Sequence, residues 1–273
     1  MFGQKDVNIF QLYGQQKDAG AVSGALFPTN GIQLLGYAIG NDTVTGTGAP
    51  YSHTFAPANE LHSMTLEKNI GGVESLQFAG AKVNKFSIKM DTTDTEVTFS
   101  ADVIAQNAAV LTTPTTIAVT NELPFVFAQA TVSLFGTQIY CTNVQLDIEN
   151  GLKETWTAQN SHQLTFLTPL TRTITGSVDV VFDSLSDTTY GYYDKMMGYP
   201  GTVGALTFVL TQGTGTGLTS ITINIPSAVL SKYADDIKFD SVIMSTLNFS
   251  GFYNFADSYS VQAVVQNAIS TAY

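Results

Sequence analysis

Between Phe78 and Gln106 the chain reads FAGAKVNKFSIKMDTTDTEVTFSADVIAQ, and this stretch limits the fold more than any other. Two alternating runs flank the polar turn Asp91-Thr92-Thr93-Asp94. In the first, Val83, Lys85, Ser87 and Lys89 are expected on one face and Phe86, Ile88 and Met90 on the other. In the second, Val97, Phe99, Ala101 and Val103 oppose Thr98, Ser100 and Asp102. A period of two marks a strand with one dry and one wet face, and Thr, Asp and Asn at the tip favour a turn. The stretch reads as a long amphipathic β-hairpin.

A chain of 273 residues that is 44% hydrophobic can bury a real core. Only 12% of residues are charged, so the wet strand faces must be built from Thr, Ser, Asn and Gln. Acidic residues outnumber basic ones 22 to 11, a net charge of −11. Tight nucleic-acid binding needs clustered Lys and Arg, which are missing. The charge excludes a clamp on DNA but permits a conduit. One cysteine, Cys141, leaves no intrachain disulfide and reads as a small buried hydrophobe. The start MFGQKDVNIF lacks the pattern of a signal peptide, and no apolar run approaches the ~20 residues of a spanning helix, so no membrane partner is expected.

Residues 1–60 are the least regular part. They are read as an extended arm with a short strand at Ile32–Ile39, ordered on a neighbouring subunit because Leu26, Phe27, Leu34, Leu35 and Tyr37 need burial. Residues 61–273 read as one all-β domain. Strands are expected at 61–67, closed by the turn Asn69-Ile70-Gly71-Gly72, and at 125–134, 138–149 and 172–182. A hairpin follows at 205–210 and 219–225. One flanking helix is expected from Asp183 to Met197, capped by Asp183 and stopped by Gly198 and Pro200. A further helical turn is expected at Ser227–Tyr233. The long Thr-rich connection 107–121 suggests a functional or interface element. The hairpin also recurs: Gly80, Val83, Phe86, Ile88 and Met90 resemble Gly136, Ile139, Val144, Leu146 and Ile148, and 97–103 resembles 175–180. A third echo lies at 243–250 with 259–267. Duplicated halves at about 61–134 and 135–273 would explain the pattern.

No catalytic constellation emerges, and the chain reads as a non-enzyme with no cofactor or metal. Gly213, Gly215 and Gly217 lack the Lys-Ser/Thr of a phosphate loop and read as hairpin glycines. His53, His62 and His162 have no ligand spacing to one another or to Cys141, and nothing activates a Cys141–His162 dyad. Asp147 and Glu149 share one strand face as a solvated edge. Trp156 reads as packing.

The ordered set SMTLEK (63–68), FAGAKVNKFSI (78–88), PFVFAQATVSL (124–134), LDIENGL (146–152), TITGSV (173–178) and INIP (223–226) resembles the tail tube proteins of tailed bacteriophages. The likeness covers about residues 60–267. It implies two packed antiparallel β-sheets, a sandwich or barrel with a flanking helix and a long stacking loop. Such subunits form rings, commonly hexameric or else trimeric when the fold is duplicated. The rings stack into a hollow tube in the virion tail, assembled in the host cytoplasm. The implied partners are further copies, the tape measure protein, the tail terminator and distal tail or baseplate proteins, with double-stranded DNA passing through unbound.

Strands around a water-filled bore should be dry outside and wet inside. Lys85, Ser87, Lys89, Thr98, Ser100, Asp102, Gln145, Asp147, Ser177 and Asp179 are the lumen-facing candidates, with carboxylates expected to neutralise the two lysines. The arm and the 107–121 loop, with Val110, Leu111, Pro114, Ile117 and Val119, are the candidates for ring-to-ring contact. Two rival readings share the strand pattern: another all-β virion protein, such as a capsid decoration or fibre, and an outer-membrane barrel. The barrel would need a signal peptide and aromatic girdles.

Overall fold

The computed structural model describes residues 14–116, 121–159, 161–181, 191–198, 201–236 and 243–273. In chain order its first strands are β1 (Asp18–Ala25), β2 (Gly40–Thr45), β3 (Tyr51–Pro57), β4 (Met64–Ile70), β5 (Glu74–Asp91) and β6 (Thr98–Ala105). There follow β7 (Asn107–Leu111), β8 (Ala130–Leu134), β9 (Thr137–Ile139), β10 (Cys141–Glu149), β11 (Lys153–Thr155) and β12 (Phe166–Thr168). The last are β13 (Thr173–Val181), β14 (Gly204–Gln212), β15 (Thr219–Asp236), β16 (Met244–Gly251) and β17 (Gln262–Asn267). Helices are α1 (Ile32–Ile39) and α2 (Tyr192–Met197).

The protein is all-β and its named strands pair antiparallel in two sheets accompanied by helices, with no closed barrel among the described residues. One large sheet doubles over at β15, and a small second sheet is the hairpin β11–β12. One limb runs β1-β6-β5-β10-β13-β16 and continues into the C-terminal part of β15. The N-terminal part of β15 lies between β14 and β17, and the second limb extends from these to β8 and β9 on one side and to β3 and β2 on the other. The expected helical turn at 227–233 is therefore strand. Pro226, which cannot donate to a ladder, sits where the β14–β15 register slips between Gly204↔Ala228 and Leu206↔Ile225. The chain bends there without leaving β geometry.

The limbs share one core. Phe208 on β14 lies 6.1 Å from Phe249 on β16, and Phe86 stacks on Phe99 at 5.9 Å. Ile32–Ile39, expected as a strand, is the helix α1. Its Ile32, Leu34, Leu35, Ala38 and Ile39 are buried, and it packs against β5, β10, β3 and β17. A short apolar run does not reveal its period, and here the space between the limbs selects the helix. Leu26 and Leu35 are fully buried in their own subunit, and Tyr37 packs against the same core. The case for ordering this segment on a neighbour, which rested on their burial, therefore fails. Residues 14–60 contain β1, α1, β2 and β3, while 1–13 lie outside the described residues.

The expected strand at 125–134 shortens to β8, and the run 138–149 breaks at Tyr140 between β9 and β10. Of the expected helix, the described part is α2, with Tyr192 buried and Tyr193 edge-on to Tyr233 at 5.8 Å. Asp183 and residues 182–190 lie outside the described residues. In the third echo, β16 and β17 do not pair with each other; they flank different parts of β15.

Candidate functional site: the polar face of the first limb

The hairpin β5–β6 sets the site's geometry. Ser87 pairs with Ser100, Lys89 with Thr98 and Lys85 with Asp102, so their side chains share one face, while Phe86, Ile88, Met90, Phe99 and Ala101 fill the core. Val83 departs from the expected pattern. A bulge at Asn84 shifts the register between Val83 and Lys85, so Val83 turns inward and is fully buried while Lys85 stays outside.

Register then carries the polar face across the limb. Ser23, Ser100, Ser87, Asp147, Thr175 and Ser250 form one continuous row over β1, β6, β5, β10, β13 and β16. A second row runs Thr98, Lys89, Gln145, Ser177, Asn248 and Lys232. The structure thus brings together all ten residues singled out for a wet face: Lys85, Ser87 and Lys89 on β5; Thr98, Ser100 and Asp102 on β6; Gln145 and Asp147 on β10; Ser177 and Asp179 on β13. Sequence reasoning missed Thr246, Asn248 and Ser250, although MSTLNFSG over β16 alternates clearly. It could not have found Ser23, because DAGAVSGA over β1 carries no alternation.

Several of the charges on this face are paired with one another. Asp147 accepts hydrogen bonds from Ser87 and from Gln145 Nε2 (3.1 Å), and its Oδ1 lies 3.4 Å from Lys85 Nζ. Lys89 Nζ lies 3.1 Å from Asp94 and 3.6 Å from Asp91, so both lysines have the expected carboxylate neighbours. The bond to Asp94 pushes the Lys89 ammonium above its ordinary value, and hydrogen bonds from Thr93 hold Asp91 below the usual carboxylate range. Asp179 accepts from Thr246 Oγ1 (2.6 Å) and Asn143 Nδ2 (3.1 Å). Lys85, Lys89 and Lys232 stand against Asp91, Asp94, Asp102, Asp147, Glu149 and Asp179, so the described face is net acidic.

Two structures bound this face. At one end the flap of residues 152–159 and 161–168 covers it with a small apolar cluster of Ile104, Leu164, Leu167, Leu152 and Trp156. Lys17 pairs with Glu154 at 2.6 Å and Trp156 Nε1 donates to the Gln16 carbonyl, which fastens the chain ahead of β1 to the flap. At the side, β1 pairs with β6 alone and leaves its other edge without a strand among the described residues.

Of the stacking candidates, Val110 and Leu111 lie in β7, which pairs with the first third of β5; β4 lines that segment's other side. This three-stranded blade diverges from the limb at Gly80 (φ 64°), where any Cβ would strike the Gln106 side chain. Thr115, next to Pro114, donates to Glu67 from its amide (2.9 Å) and hydroxyl (2.5 Å), tying the connection back onto β4. Ile117 and Val119 lie outside the described residues.

The described residues contain no group of three or more His, Cys, Asp or Glu placed to hold a metal ion. His53 is buried against Asp42 (2.9 Å) and the Ile269 carbonyl (2.9 Å), a structural pairing that fixes the C-terminal segment. A profile of the phage tail tube protein family matches residues 10–251. The chain belongs to that family. The match starts at residue 10, not at about 60, so it takes in β1, α1, β2 and β3 of this tail tube protein. No curated protein matches the chain. Membership makes it a structural protein of the virion tail, ahead of the capsid-decoration, fibre and outer-membrane readings.

Proposed function

We propose that this tail tube protein closes margin to margin into rings of six or three copies, with the polar face of the first limb lining a water-filled bore. Rings stacked in register make the conduit through which the genome leaves. One observation carries the reading. The limb has a continuous wet face backed by core, yet among the described residues it ends at β1 with an unpaired edge that has no Lys, Pro or bulge to protect it. An edge of that kind is completed by a strand from another copy, and repetition about an axis closes a barrel. Lys85, Ser87, Lys89, Thr98, Ser100, Asp102, Gln145, Asp147, Ser177 and Asp179 then face the bore. A net acidic, hydroxyl-rich wall repels phosphate, so duplex DNA slides without binding.

The blade of β4, β5 and β7 supplies ring-to-ring contact, because it projects from the limb and exposes Ile70, Val73 and Val110 at 49, 75 and 61%. The tape measure protein occupies the bore during assembly in the host cytoplasm, and the terminator and distal tail proteins cap the two ends. The repeated hairpins β5–β6 and β10–β13 lie side by side with β5 and β10 antiparallel. A rotation about the bore cannot relate two such units, so the repeat gives no preference for three copies over six.

Negative-stain microscopy of the purified protein tests the reading. Hollow tubes or rings of one diameter are expected. A protein that stays monomeric at every concentration overturns it, and solitary spikes favour a fibre.

A further inference from the structure

The loop joining β16 to β17 carries the most exposed large apolar side chain among the described residues. Phe255 is 90% exposed, flanked by Phe252 and Tyr253 at 54 and 53%. The loop is nevertheless well ordered by its own bonds. Asn254 Oδ1 accepts from the amides of Ala256 (2.8 Å) and Asp257 (3.2 Å), and the Asn254 carbonyl accepts from the Ser258 amide (2.8 Å). The Asn254 amide in turn donates to the Tyr259 carbonyl (3.0 Å), and Tyr253 braces Phe255 edge-on at 5.3 Å. An aromatic ring held in water by a preformed turn loses little entropy on docking, which is the usual character of an interface anchor.

The same chain offers a receptor beside β1, at the other side of the limb. Between β1 and β4 lies an open cleft of about 640 Å³ lined by Val22, Leu66, Phe78 and Val103, roomy enough for a benzyl ring. Register places knob and cleft at one level. Val22, Ala101, Phe86, Ile148, Ile174 and Gly251 form a single row across the sheet, and Phe252 follows Gly251 directly. Five strand spacings, about 24 Å, separate β1 from β16, so the knob does not fill its own cleft. Charge also matches: exposed Lys68 lines the cleft, exposed Asp257 follows the knob, and neither makes an ion pair among the described residues.

We infer that Phe255 of one copy inserts into the β1–β4 cleft of the next copy, with Asp257 meeting Lys68, as a head-to-tail contact that recurs around the ring. This rests on the ring reading above and adds to it the side chains that fix lateral register. A head-to-tail contact between different patches closes into a ring when its rotation permits, whereas a self-complementary patch stops at a dimer.

The test uses full-length protein in a sedimentation dilution series. Phe255→Ala is expected to keep the wild-type circular dichroism and thermal midpoint, and to weaken association by about 30-fold or more, the range of an aromatic anchor. Val22→Arg, which blocks the cleft at an exposed position, should do the same. Mixed together, the two variants should form 1:1 dimers and nothing larger, because one intact knob meets one intact cleft. Lys68→Glu should weaken association, and adding Asp257→Lys should restore it. If the wild type assembles and Phe255→Ala assembles equally well, the knob has no such role, although the ring reading survives. A wild type that never associates removes both.

Discussion

Asn150 holds helix α1 to the first limb, and removing its side chain is the sharpest test of how the fold is joined. The residue is 1% exposed. Its Nδ2 donates to the carbonyl of Ala38 at the end of α1 (2.9 Å) and to that of Val83 at the β5 bulge (3.1 Å). Its Oδ1 accepts from Arg172 Nε (2.9 Å), whose Nη2 reaches the Ile39 carbonyl (2.7 Å). The last carbonyls of a helix have no partner within it, so these two side chains supply what α1 lacks. Asn150→Ala strands two buried carbonyls and takes one acceptor from a half-buried guanidinium. At about 1 kcal/mol for each neutral bond and about 1.5–3 for the charged one, the loss is about 3.5–5 kcal/mol. Urea unfolding of unassociated protein reads this directly. With an m-value of about 3 kcal/mol/M, the midpoint should fall by roughly 1.2–1.7 M at unchanged m. Gln145→Ala, on the exposed face, should stay within about 0.5 kcal/mol of wild type. A loss below about 1 kcal/mol for Asn150→Ala would refute the reasoning.

Gly176→Ala should destabilise by about 1–3 kcal/mol in the same assay, because the added Cβ falls well inside contact distance of the Gln145 carbonyl oxygen and 2.5 Å from the Phe249 ring; an unchanged midpoint contradicts it. Burial pushes the Cys141 thiol up from 9.0 to about 11, so at pH 8 it holds about 100-fold less thiolate than an unperturbed cysteine. Iodoacetamide labelling should be correspondingly slow and should accelerate with pH up to about 11, and fast labelling at pH 8 would count against that burial. Val73→Asp combined with Val110→Asp, both exposed on the blade, should leave rings that do not stack; full-length tubes in the microscope would remove the blade's role. Asp102→Lys should alter stability by no more than about 0.5 kcal/mol yet slow genome ejection from assembled virions. Equal ejection rates would dispose of the repulsive-wall argument.

How far the sequence could be read varies by element. Strands β5, β6, β10 and β13 were legible because burial imposes a period of two on consecutive side chains, and ten wet-face residues follow from that local signal alone. Val83 escaped it, since one extra residue at Asn84 reverses the parity of everything before it. Helix α1 escaped it too: IQLLGYAI is apolar on nearly every side, so its period is hidden and the cavity between the limbs decides.

What this chain's residues determined unaided is which side of each regular strand is wet, the polar turns between them, and an acidic surface unsuited to gripping DNA. Only the tertiary structure decided that β10 lies against β5, that β15 crosses from one limb to the other, and that featureless β1 forms the open margin among the described residues. Alternation is written in neighbouring side chains. Strand partnership is set by backbone groups that are alike in every residue, and it is settled by which long-range arrangement buries the most apolar surface.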